Sequence, residues 1–326
     1  MLAFAALFLA FSNGANDNFK GFATVWGSET LEFRRALMLA TFATVLGGVA
    51  SILIADTLVQ QFSGKGLVDN SLANTPRFAL AVAGGAAATV MLATRLGFPI
   101  STTHALVGGL VGAGLAQSET SINLGNLGSG FVLPLLTSPF ISAGLGFAAF
   151  RIIRYFRERK AAAMSSPAGV TIATSGAGGR VGDAVHLLSA SAICFARGVN
   201  DTPKLAALLI ASQLMSGVGS ALAATAAMGV GGWLLSRRVA ETMSKRINHL
   251  DTGQGISANL ITAGLVLFAS RLGMPVSTTH VSVGSIIGTG GAAGTLDLSV
   301  VRNVLLSWVA TLPISAAIAF SIGMFV

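Results

Sequence analysis

Residues 94–104 read TRLGFPISTTH, and residues 270–280 read SRLGMPVSTTH. Eight of the eleven positions are identical, and the copies lie 176 residues apart, from His104 to His280. Upstream of each copy sits a second pair. Gly14-Ala15-Asn16-Asp17 is followed by Lys20, and Gly198-Val199-Asn200-Asp201 by Lys204, 184 residues apart from Asp17 to Asp201. Two different motifs recurring in the same order divide the chain into two halves of one ancestral unit. Each half embeds a polar, ionisable cluster in an apolar stretch. Charge at membrane depth is costly and usually functional. Paired repeats with interrupted apolar segments point to a secondary transporter with its site between the halves.

Composition sets the same frame. Of 326 residues, 53% are hydrophobic and 10% charged, and the mean hydropathy is +0.76. A soluble domain carries about a quarter charged residues. The chain therefore reads as an all-α polytopic protein of the lipid bilayer, placed in the inner or plasma membrane. Met1 to Phe11 lacks the basic start and small-residue cleavage pattern of a signal peptide, so it is kept in the mature fold. The single cysteine, Cys194, excludes an internal disulfide and a cysteine-based metal cluster. The net charge of +8 does not indicate nucleic acid. The basic residues gather in short loops beside apolar runs, which is the positive-inside pattern.

Ten apolar segments are expected, at roughly 1–27, 36–59, 78–95, 99–117, 130–152, 185–213, 215–236, 255–271, 275–293 and 302–326. They group as five plus five. Residues 1–150 form a first membrane repeat, 151–184 a linker, and 185–326 a second repeat. An odd number of spans per half inverts the second half relative to the first. The basic start of the linker, Arg151 to Lys160, assigns it to the cytoplasm, together with the loops holding Arg34-Arg35 and Arg237-Arg238. The loops at 117–128 and 213–217 contain no Lys or Arg and fall outside, as do both termini. Segments three and four are joined only by Leu96-Gly97-Phe98-Pro99, and segments eight and nine only by Leu272-Gly273-Met274-Pro275. Each pair is either two full spans or one re-entrant hairpin. The hairpin is preferred, because it sets the Ser-Thr-Thr triplets at helix N-termini inside the protein, where free N–H groups attract an anion.

The clusters suit a tetrahedral oxyanion. Ser101, Thr102, Thr103, Ser277, Thr278 and Thr279 offer hydroxyls and helix N-termini. Lys20 and Lys204 supply neutralising charge, with Arg95 and Arg271 nearby. Asn16 and Asn200 bring amides to the substrate or to a coupling cation. Asp17 and Asp201 suit Na+ or a proton, since a carboxylate repels an anion. His104 and His280 close each block. The alternative for the triplets is local capping, and for Asp17–Lys20 a self-neutralised pair. No HExxH, GxSxG or P-loop pattern occurs, so an enzyme is not expected.

At Gly14–Asp17, Gly198–Asp201 and the two PxSTTH blocks, the chain resembles the inorganic phosphate transporter family over nearly its whole length. That resemblance implies an inverted-repeat helical symporter for inorganic phosphate, driven by Na+ or H+ and often a homodimer. Some members of the family carry sulfate. An oxyanion permease for sulfate, or a passive anion channel, is the alternative. The resemblance also marks Asn16, Asp17, Asn200, Asp201 and both Ser-Thr-Thr tips as site elements. This chain departs from the family pattern where a second Asn is usual and Lys20 and Lys204 stand instead. It departs again where Glu is frequent and Thr44 and Asn259 stand. Cation ligands are thus replaced by fixed positive charge. Lys20 and Lys204 either act as counter-charges for the anion or neutralise their own aspartates.

Overall fold

A computed structural model describes residues 1–54, 56–64, 66–117, 122–164, 179–248 and 250–326. In a bilayer every backbone N–H and C=O must find a partner within the protein, so apolar runs become helices. The first half contains α1 (Leu2–Asp17), α2 (Ala23–Gly27), α3 (Phe33–Ile54), α4 (Asp56–Gln61), α5 (Asn70–Ala73), α6 (Pro76–Leu96), α7 (Thr102–Gln117), α8 (Leu124–Asn126) and α9 (Leu133–Met164). The second contains α10 (Arg180–Ile210), α11 (Gly217–Leu235), α12 (Arg237–Glu241), α13 (Thr252–Arg271), α14 (Thr278–Ala293) and α15 (Leu298–Phe325). Short π-helical stretches precede α9 and follow α12. Among the described residues there is no strand, only an isolated bridge between Asn248 and Leu296.

All ten expected segments are present, with two changes. The first breaks at Asp17. Residues 18–22 form tight turns, in which Lys20 N–H donates to the Asp17 carbonyl and Phe22 N–H to that of Phe19. The Asn18 side chain turns aside to donate to Thr41 (2.7 Å), and Gly21 lowers the helix preference there. The equivalent stretch of the second half continues as helix through Asn200, Asp201 and Pro203. The second change concerns the linker. Residues 151–164 extend α9 and 180–184 begin α10, so both ends of the predicted 151–184 loop are helical. Its middle, 165–178, lies outside the described residues.

Helix starts follow local chemistry. The Thr75 hydroxyl accepts from Phe78 N–H, with Pro76 in the first turn of α6, where its missing donor costs nothing. Asp251 and Gln254 form a reciprocal capping box on α13. The two hairpin turns need left-handed backbone, and glycine supplies it: Gly97 has φ 78° and Gly273 φ 68°.

The halves are interlocked. α1 packs on its own α6 and on α11 of the second half, while α10 packs on its own α13 and on α3 of the first. α7 lies along α15 and α14 along α9, so each hairpin is clasped by the last helix of the other half. Small residues permit this approach: a Cβ on Gly112 would collide with the Ala316 carbonyl, and one on Gly288 with that of Ala143. Among the described residues, six helices are long and apolar enough to cross a bilayer. Their outer faces present large apolar side chains such as Phe42, Phe140 and Val309. An apolar exterior around a polar centre suits lipid, not water.

Candidate functional site

The end of α1, the middle of α10 and the two hairpin tips meet at the centre of the molecule. All twelve predicted site residues lie there, none more than 4% exposed. Lys20 Nζ donates to the Asp17 carboxylate, to the Thr279 hydroxyl and to the Ile100 carbonyl (3.1 Å). Lys204 Nζ donates to the Thr103 hydroxyl (2.9 Å), the Val276 carbonyl (3.0 Å) and Asp201 Oδ1 (3.4 Å). The two sets correspond member by member. Each ammonium takes a carboxylate and a carbonyl from its own half and a hydroxyl from the other. The tips also bond across the halves: Thr279 Oγ1 donates to the Ile100 carbonyl (2.7 Å) and Thr103 Oγ1 to that of Val276 (3.3 Å).

The remaining predicted residues build the tips. Ser101 and Ser277 cap α7 and α14, accepting from the N–H groups of His104 (3.0 Å) and His280 (3.1 Å). Thr102 accepts from Asn13 (3.0 Å), and Thr278 is buried at the same level of the other tip. Asn16 clamps the first turn: its amide donates to Thr94 and Phe98 (3.0 Å each) and accepts from Ile100 N–H (3.2 Å). Asn200 donates to Asp201 (3.0 Å) and Val276 (3.3 Å) and accepts from Ser270 (3.1 Å). Both asparagines thus spend their amides holding turns. The imidazoles of His104 and His280 face one another at 4.5 Å. Trp308 stacks on His280 at 3.9 Å and donates to the Pro99 carbonyl (3.0 Å). Arg95 and Arg271, which the sequence grouped with the clusters, are exposed at the ends of α6 and α13 and stand apart from the site.

Two residues of the centre, Arg197 and Asn13, escape the motif-based reading. Arg197, 1% exposed, places Nε 3.5 Å from Asp201 Oδ2 and donates from Nη2 to Asn13 Oδ1 (2.6 Å). It also reaches Thr44 (3.3 Å) and Asn18 (3.4 Å). Asn13 in turn points its NH₂ between Asp201 (3.3 Å) and Asp17 (3.4 Å). Asn13 and Arg197 are counterparts at the same 184-residue spacing. A charge inside an apolar segment was the available signal. The centre therefore sets three cationic side chains against two carboxylates, a net single positive charge.

The profile of the Phosphate transporter family matches residues 13–319, nearly the whole chain. The chain belongs to this phosphate transporter family. Its relatives include a Pyrococcus abyssi protein assigned by name as a phosphate permease, 28% identical, with 96% of this chain and 94% of that one aligned. The "Probable low-affinity inorganic phosphate transporter" of Bacillus subtilis is 26% identical over 98% of this chain and 94% of its own length. A solved structure described as the sodium-dependent phosphate transporter shares the fold, with TM-score 0.82. It is 23% identical, with 99% of this chain and 97% of that chain covered. This member of the phosphate transporter family is thus a multi-pass membrane protein of a transporter family, not of an enzyme class.

Proposed function

We propose that the chain is a secondary active transporter that carries inorganic phosphate across the cell membrane by alternating access of two inverted repeats, coupled to an ion gradient. The observation that carries this reading is the excess cation at the centre, aimed at by two hydroxyl-bearing helix N-termini from opposite halves. A buried net positive charge is unfavourable alone and is relieved by an anion. An arriving phosphate takes the threonine hydroxyls and one donor from each lysine. Doing so replaces the Thr103–Val276 and Thr279–Ile100 bonds that hold the tips together, so the halves can part. A cavity of about 910 Å³ between α4, α6 and α10 offers a route. Phe62 lines it, and its ring lies 5.6 Å from Lys204 Nζ. Asp17 and Asp201 serve the coupling ion, with Asn16 and Asn200 holding the turns beside them.

Reconstitution tests this. Purified protein in liposomes should accumulate phosphate against its gradient when an ion gradient is imposed. Equilibration without accumulation would indicate a passive channel, and a preference for sulfate would indicate an oxyanion permease. Thr103→Val and Thr279→Val should each weaken phosphate binding by roughly 1.5–3 kcal/mol, the worth of a hydrogen bond to a charged group. Thr137→Val is the control, since that exposed hydroxyl bonds only within its own helix. Equal, small losses at all three positions would remove the tips from the binding site.

The loop charges make the segment between the repeats cytoplasmic. Arg180→Cys, at the exposed start of α10, should react with an impermeant thiol reagent only in inside-out vesicles. Cys194 is buried and leaves the background silent. Labelling in intact cells would invert the orientation.

A further inference from the structure

Each central ammonium sits in an oxygen cage: one carboxylate, one backbone carbonyl from a hairpin turn, and one threonine hydroxyl of the opposite tip. That donor set is the chemistry of a hard-cation site, where carboxylates and carbonyls of unwound backbone gather round an ion. The cage occurs twice, once per half, with the same three ligand types. An alkylammonium has three N–H donors, and each lysine has three oxygens to receive them. The three contacts of Lys204 and the Lys20–Ile100 contact, 2.9–3.4 Å, are hydrogen-bond lengths and longer than metal–oxygen bonds. Both carboxylates of the centre are already paired, Asp17 with Lys20 and Asp201 with Lys204 and Arg197.

We infer that Lys20 and Lys204 are tethered substitutes for two coupling cations, so that this chain binds its anion without Na+ at the central site. The inference rests on the transport reading given above and names the regulation of that same site. The residues do not fit a bound Na+. Its ligands would be the oxygens the ammonium groups hold, and a further cation would join a centre that already has more cations than carboxylates, where like charges repel strongly. The two lysines stay with the protein through the cycle and so carry no gradient energy. If uptake is uphill, the ion that drives it is something other than Na+ held in these two cages.

Two measurements test this. Thermal unfolding of the purified protein in detergent is compared in NaCl and in choline chloride at matched ionic strength, and phosphate binding is titrated in the same two salts. For the unmodified chain, the unfolding midpoint and the phosphate affinity should be the same in both. A midpoint raised by Na+ alone, or phosphate affinity that is several-fold tighter in Na+, would overturn the inference with no mutation needed. Lys20→Ala with Lys204→Ala opens both cages. If the double variant folds, its midpoint should rise by several degrees in Na+ but not in choline; indifference to Na+ in the folded variant would also overturn the inference. Na+ stabilisation gained by the double variant, alongside an unmodified protein that neither binds nor takes up phosphate, would uphold the cages and reject phosphate transport instead.

Discussion

Asp201→Asn should lower the unfolding temperature of the detergent-solubilised protein more than Asp17→Asn does. Asp201 faces two cations, Lys204 Nζ at 3.4 Å and Arg197 Nε at 3.5 Å, whereas Asp17 is ion-paired with Lys20. All five residues are at most 3% exposed. Removing one partner of a buried pair leaves the other charge without compensation and costs about 3–5 kcal/mol. At Asp201 two charges are left, so its loss should fall at the top of that range. Arg197→Met should cost less, because two lysines then face two aspartates. The double variant Asp201→Asn with Arg197→Met should lose less than the sum of the single losses, by roughly 0.5–3 kcal/mol of coupling. Equal midpoints for Asp17→Asn and Asp201→Asn, with additive effects in the cycle, would mean that Arg197 is not a counter-ion of Asp201.

Phosphate should act on the same balance. A ligand that binds only the folded state raises its stability by mass action, about 2.7 kcal/mol at a hundred times its Kd. The gain should be largest where the cation excess is largest. Phosphate should therefore stabilise Asp17→Asn, which still has both threonine tips and all three cations, by more than it stabilises Arg197→Met, in which the excess is gone.

The duplicated motifs were legible because polar residues in an apolar chain have few uses. Asp17, Asp201 and the Ser-Thr-Thr tips were found by that rule, and all lie in one cluster. What the tips touch was not legible. Thr103 meets the Val276 carbonyl 173 positions away, a contact set by how the two halves interlock, which the order of residues within either half does not encode. Asn16 and Asn200 read as ligand amides, yet their donors reach back to hairpin turns about 80 residues on. Composition cannot tell an amide that binds substrate from one that binds backbone. Arg197 escaped because its counterpart is Asn13: the two positions pair across the halves instead of repeating. The continuity of α10 through Pro203 runs against simple propensity. In a membrane interior, neighbouring helices rather than local preference decide where a helix may bend.

The glycine that opens each Gly-x-Asn-Asp motif sets where the adjacent carboxylate sits. A Cβ on Gly14 would fall on the backbone of Met228 in α11, within 2.7 Å of its Cα. A Cβ on Gly198 would fall on the Thr44 carbonyl in α3, with Gly48 N at 2.6 Å. Backbone cannot rotate out of the way as a side chain can, so alanine at either position must push two helices apart. Gly14→Ala and Gly198→Ala should each cost at or above the top of the ~1–3 kcal/mol range for overpacked cores. Phosphate uptake should fall with stability, because Asp17 and Asp201 lie three residues beyond these contacts and would shift relative to Lys20 and Lys204. Gly144 in α9 supplies the opposite sign. Nothing lies within 4 Å of its would-be Cβ, so Gly144→Ala should only relieve the helix penalty of glycine and raise stability by about 0.5–1 kcal/mol. Midpoints measured for the three variants in one detergent would decide the matter. If all three alanines shift the midpoint in the same direction and by similar amounts, close helix approach is not what Gly14 and Gly198 provide.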